Sequence, residues 1–176
     1  MKPHRKLMRE VQECKLWEAW FRVSPAGKSA LEKLRCLKNA GNELTPANLE
    51  STVLATCYIA ANYDAGSDEV DNEGHLAGLR YPRKVIATWK KGKPADAAVD
   101  SLVAHLTMLF RYFTSKEGEF GWGGEPLPRF GEPCYAVTAG FVSAVFPHLK
   151  LTPGKVEKIA DRLKQDKVRL VRWPLA

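Results

Sequence analysis

A chain of 176 residues that is 45% hydrophobic and 27% charged is too apolar for a disordered segment and long enough to bury about two-thirds of its unfolded surface. We therefore read residues 1–176 as a single domain. Lys and Arg number 27 against 20 Asp and Glu, a net charge of +7 with a pI near 9.3, which favours anionic partners: nucleic acid, an anionic membrane surface or an acidic protein face. No apolar run approaches the roughly 18 residues of a membrane span, so no membrane partner is expected.

Residues 3 to 22 place Leu7, Val11, Cys14, Trp17 and Phe21 at steps of three and four, one face of a helix, with Met8, Leu16 and Trp20 widening the stripe. Ser24 and Pro25 supply a cap and a first-turn proline for a second helix lined by Leu31, Leu34 and Leu37 and ended by Gly41. Thr45 and Pro46 repeat the device ahead of Leu49, Val53, Leu54, Cys57 and Tyr58. It recurs at Thr152 and Pro153, ahead of Val156, Ile159 and Leu163.

Residues 63 to 79 carry five acids and neither Lys nor Arg, and read as a solvated loop. Pro82 then opens a basic helix that Gly92 follows. The best stripe in the chain lies on residues 95 to 115: Val99, Leu102, Val103, Leu106, Leu109, Phe110 and Phe113. Residues 117 to 135, rich in Gly, Pro and aromatics, break the helical pattern. Residues 133 to 146 are apolar almost all round, the mark of a helix buried on every side, with Gly140 and Ala144 permitting close approach. The tail from 167 onward reads as a short strand or a last helical turn. The expected fold is all-α, a compact bundle of about six or seven helices with two long acidic loops.

Charge is unevenly spread. Residues 1–62, 63–79, 80–116, 117–135 and 136–176 carry +4, −5, +6, −3 and +5. Two clusters dominate. Arg80, Arg83, Lys84, Lys90, Lys91 and Lys93 form the first; Arg162, Lys164, Lys167, Arg169 and Arg172 form the second, with Trp173 beside it as a stacking platform. Side by side on one wall they would contact phosphates and gain affinity from counterion release. No zinc finger, aromatic sheet motif or GXXG loop accompanies them, so the reading is sequence-independent binding of DNA or RNA, as a small subunit of a nucleoprotein complex. The bland alternative is a solvated lysine-rich surface.

Cys134 follows Pro133 at a helix start, where free N–H groups and the helix dipole lower a thiol's pKa. A base for it would come from His105 or His148; the apolar segment that follows it favours a packed structural thiol. The other cysteines, at 14, 36 and 57, form no C-x-x-C pair, which fits a reducing, cytoplasmic setting. The N-terminus lacks the uninterrupted apolar core of a secretory signal. Asp64, Asp68, Glu69, Asp71, Glu73 and His75 miss the EF-hand frame, and the four histidines have no zinc spacing, so no metal and no cofactor is expected. Phe120, Trp122, Arg129 and Phe130 either fold back over the core or form an aromatic docking patch for a protein partner. The rival functions are thus a protein-interaction module (adaptor, inhibitor or effector) and a cysteine-dependent enzyme.

Overall fold

A computed structural model describes residues 3–41, 43–62, 94–115 and 131–165. They form six helices and no strand among the described residues: α1 (Pro3–Val23), α2 (Pro25–Arg35), α3 (Pro46–Ala61), α4 (Pro94–Thr114), α5 (Tyr135–Val145) and α6 (Pro153–Gln165). No helix among them is long and apolar enough to cross a membrane. The all-α reading holds. The acidic loop at 63–79, the helix after Pro82, most of the aromatic segment at 117–135 and the tail beyond 165 lie outside the described residues.

The helix starts follow their caps. The hydroxyl of Ser24 accepts the Gly27 N–H at 3.1 Å and donates to the Phe21 carbonyl at 2.9 Å, so one side chain closes α1 and opens α2. Thr45 accepts the Asn48 N–H at 3.2 Å at the head of α3, and Thr152 accepts the Lys155 N–H at 3.4 Å at the head of α6. Each cap satisfies one of the amides that a helix start leaves unpaired. Proline at the first helical position costs nothing there, because its missing N–H had no intrahelical partner.

The second helix stops earlier than its leucine spacing suggests, at Arg35 rather than near Gly41. The cause is Asn39. Its amide nitrogen donates to the Leu44 carbonyl at 2.6 Å and its oxygen accepts the Gly41 N–H at 2.7 Å. That turn competes for the backbone groups a longer helix would need. Leu37 leaves the helix but still packs against the core.

The core is one cluster. Every member of the α4 stripe from Val99 to Phe113 is buried, and joins Phe21, Leu31, Leu34, Leu49, Val53, Leu54, Val142 and Val156. At its centre lies α5, packed on α2, α3, α4 and α6. Phe141 is fully buried, with its ring stacked on Phe21 at 6.0 Å and tilted against Phe110 at 6.5 Å. Gly140 faces α2, but the approach does not require glycine: a Cβ placed there would lie at ordinary contact distance, 3.8 Å, from the Cα of Ala30. Burial of α5 is nearly complete, Ala136 being its one exposed residue.

The entry to α5 is pinned to the end of α4. Thr114 Oγ1 accepts the Glu132 N–H at 2.7 Å while donating to the Phe110 carbonyl at 2.8 Å. Gly131, at φ 83°, passes so near α4 that a Cβ would fall 2.1 Å from the Arg111 carbonyl oxygen. Only glycine fits there.

The outer helix α1 departs from expectation. Trp17 and Phe21 pack inward, as the spacing predicts, but Leu16 and Trp20 do not widen the buried stripe. They are 65% and 55% exposed, and Val23 is 66% exposed. Only α2 and α3 flank α1 closely, so the half of its surface turned from them has no cover among the described residues.

Candidate functional site

On α6, Val156, Ala160 and Leu163 are buried and Ile159 half-buried. At 100° per residue, Lys155, Lys158 and Arg162 fall within about 60° on one flank of that stripe, while Glu157 and Asp161 fall on the other. All five are exposed. From Lys155 to Leu163 the helix thus carries its cations and its acids on different flanks. The basic flank is the one beside α4, because Arg162 forms an ion pair with Asp100 in the first half of that helix. The Asp100 side chain is 13% exposed and that of Arg162 54%, so the acid is sunk while part of the guanidinium still meets solvent.

Of the eleven cations singled out from sequence, Arg162 has a described side chain and Lys164 belongs to the last turn of α6. Arg80, Arg83, Lys84, Lys90, Lys91, Lys93, Lys167, Arg169 and Arg172 lie outside the described residues, as do Phe120, Trp122, Arg129 and Phe130. Sequence reasoning passed over Lys155 and Lys158. Both precede the dense basic run, but the i, i+3, i+7 spacing to Arg162 was there to be read.

A second charged feature joins α1, α2 and α3. Glu50 on α3 accepts hydrogen bonds from Arg22 of α1 and Arg35 of α2, the latter at 3.2 Å, and Arg22 also reaches Glu18 at 2.6 Å. Burial alone would raise the Glu50 carboxyl, but the two guanidinium groups outweigh it and hold it below the usual glutamate range. Arg22 shifts the other way, raised mainly by its hydrogen bond to Glu50. Beside the clasp is a cleft of about 140 Å³ lined by Arg22, Lys28, Leu31, Glu32 and Arg35. Its cations are matched by Glu18, Glu32 and Glu50, so it is close to neutral and offers no anion a clear field.

Cys134 caps α5 with a left-handed backbone, φ 48° and ψ 47°, and its side chain makes no capping bond. The thiol donates instead to the Glu132 carbonyl at 3.3 Å. The low thiol pKa expected of a helix start is not found. Burial first, then the Glu132 carboxylate, push it up to about 11, with Arg111 opposing.

The two candidate bases sit on other parts of the fold. His148 is exposed beyond the C-terminal end of α5, some 11 residues and about 16 Å of helix from Cys134. His105 sits in the middle of α4, where Nδ1–H donates to the Ser101 carbonyl at 2.7 Å. Burial lowers its pKa, and that hydrogen bond opposes the shift. Cys57 is fully buried, its thiol raised by desolvation, whereas Cys36 is exposed. No group of three or more His, Cys, Asp or Glu among the described residues is arranged to hold a metal ion.

No family model, no curated protein and no solved structure matches this chain.

Proposed function

We propose that this protein binds nucleic acid through the phosphate backbone, without reading sequence, as a small helical subunit of a nucleoprotein complex. The carrying observation is the sorted charge of α6: Lys155, Lys158 and Arg162 on one flank, the acids on the other. A lysine-rich surface that merely keeps a protein soluble intersperses its signs; a phosphate-tracking surface gathers cations in a row. Lys155 and Arg162 are seven residues apart, about 10 Å along the axis, within reach of successive phosphates of one strand. The net charge of +7 adds long-range attraction in the same sense.

The other cations of the two sequence clusters extend this reading, with Arg80 to Lys93 and Lys167 to Arg172 as further backbone contacts, while Lys164 falls on the flank of the acids. Chemistry has less support: a thiol held near 11 is almost wholly protonated at neutral pH and is a poor nucleophile.

The test is fluorescence anisotropy with a labelled single-stranded oligonucleotide and a labelled duplex, titrated at several salt concentrations. Affinity is expected to fall linearly on a log–log plot, and Lys155→Ala with Lys158→Ala to reduce the slope by about one to two. An affinity indifferent to salt, or no binding at about 50 mM salt, would refute the proposal.

A further inference from the structure

We propose that Asp100 is a positioning residue for phosphate recognition: sunk in α4, it holds the guanidinium of Arg162 in a fixed orientation, with its remaining donors turned to a phosphodiester of the bound strand. The inference rests on the nucleic-acid reading above, and adds which cation grips a phosphate and what aims it.

The cations on the flank of α6 are not alike. Lys155, Lys158 and Arg162 are all exposed, but of the three Arg162 is the one with an ion pair among the described residues, from Nη2 to Oδ2 of Asp100. A lysine is a point charge on a flexible stem. A guanidinium is a planar fork whose N–H donors match the two unbridged oxygens of a phosphodiester. Asp100 engages one nitrogen of that fork, which leaves donors on the other two.

The depth of the acid matters as much as the pair. A carboxylate at the outer surface would repel a phosphate. Asp100 instead has a side chain 13% exposed, against 54% for that of Arg162, so an incoming anion meets the guanidinium first and the carboxylate stays behind it. Both helices are seated in the core, through Leu102 and Val103 of α4 and Val156 and Ala160 of α6. The carboxylate is therefore a fixed point.

Holding a long side chain ready removes an ordering cost that amounts to about two- to tenfold in affinity. A pair that merely clips α6 to α4 would act on stability alone. Removing its acid would then leave binding unchanged or tighter, because a more positive surface favours an anion. The two roles predict opposite signs.

The test is a double-mutant cycle in the anisotropy titration of a labelled, random-sequence single strand. Asp100→Asn, Arg162→Ala and the double variant are compared with wild type, with helical circular dichroism to confirm that each is folded. Asp100→Asn is expected to weaken wild-type binding about two- to tenfold, and to weaken nothing where Arg162 is already Ala. Arg162→Lys, at an exposed position and with the charge kept, is expected to lose about as much while leaving the salt slope unchanged. It carries the test alone if Asp100→Asn does not fold. An Asp100→Asn chain that binds as tightly as wild type, or an Arg162→Lys chain with full affinity, overturns the inference and leaves the nucleic-acid reading standing. A wild-type chain that does not bind the strand overturns both.

Discussion

Two helices of this bundle, α5 and α1, show how differently the same local structure is held. Helix α5 has no polar face and is enclosed by four neighbours; its position is set by packing, down to the Gly140–Ala30 approach. Helix α1 lies on the outside and is gripped along one side, by Trp17 and Phe21 in the core and by Arg22 in the Glu50 clasp. An all-apolar helix announces its burial through composition. An amphipathic one with two apolar stripes does not say which stripe is covered. That distinction rests on neighbours, not on period.

The largest expected break in the comparison comes from Phe141→Ala. The ring is fully buried between Phe21 and Phe110, so its loss should cost about 3–5 kcal/mol in a denaturant titration. In α1 the same test should divide by face. Trp17→Ala, at a half-buried ring that also meets Tyr58 edge-on at 5.9 Å, should cost about 2 kcal/mol. Trp20→Ala, only three residues on, should stay within about 0.5 kcal/mol in dilute solution. Equal losses at both positions would show that the exposed stripe is covered in the monomer.

The clasp that holds α1 gives a pH signature. In the folded chain Glu50 remains ionised below the ordinary glutamate value of about 4.3, where the unfolded chain takes up a proton. Its contribution is therefore complete above that pH and is lost as pH falls through the lower, folded value. Glu50→Gln should cost about 1–3 kcal/mol at pH 7, and the gap to wild type should close as the solution is acidified below about pH 4. A gap that is constant from pH 7 to pH 3 would mean the ion pairs contribute nothing.

Two substitutions should sharpen α5 instead of damaging it. Thr138 is fully buried and its hydroxyl has no hydrogen-bond partner among the described residues. Thr138→Val keeps the shape and should stabilise by about 1 kcal/mol in thermal melts. Gly140→Ala adds a methyl at ordinary contact distance from Ala30 and should gain about 0.5–1 kcal/mol from helix propensity. A loss at position 140 would place α2 and α5 closer than the 3.8 Å approach allows.

The elements themselves were legible. Ser24–Pro25, Thr45–Pro46 and Thr152–Pro153 mark three helix starts to the residue, and the stripe from Val99 to Phe113 and the apolar run around Phe141 are both buried as read. What was not legible depends on groups far apart in the chain. Arg22, Arg35 and Glu50 sit on three helices, and no spacing rule brings them together. Beyond the early end of α2, the turn is held by an Asn39 side chain bonded to the Leu44 carbonyl, a contact that helical spacing does not announce. The packing of Cys134 was legible in the apolar segment that follows it, whereas the facing Glu132 carboxylate, which raises the thiol further, was not. The basic flank of α6 was half seen: Arg162 stood out in a dense run, and the sparser lysines before it did not.

The four thiols differ enough in access to make the molecule its own reporter. Cys36 lies open on the surface while Cys57 is sealed at 0% exposure, so an alkylating reagent should modify the first at once and the second only when α3 comes away from the bundle. Counting modified sulfurs against time would then clock how often the interior breathes, with no dye or tag introduced.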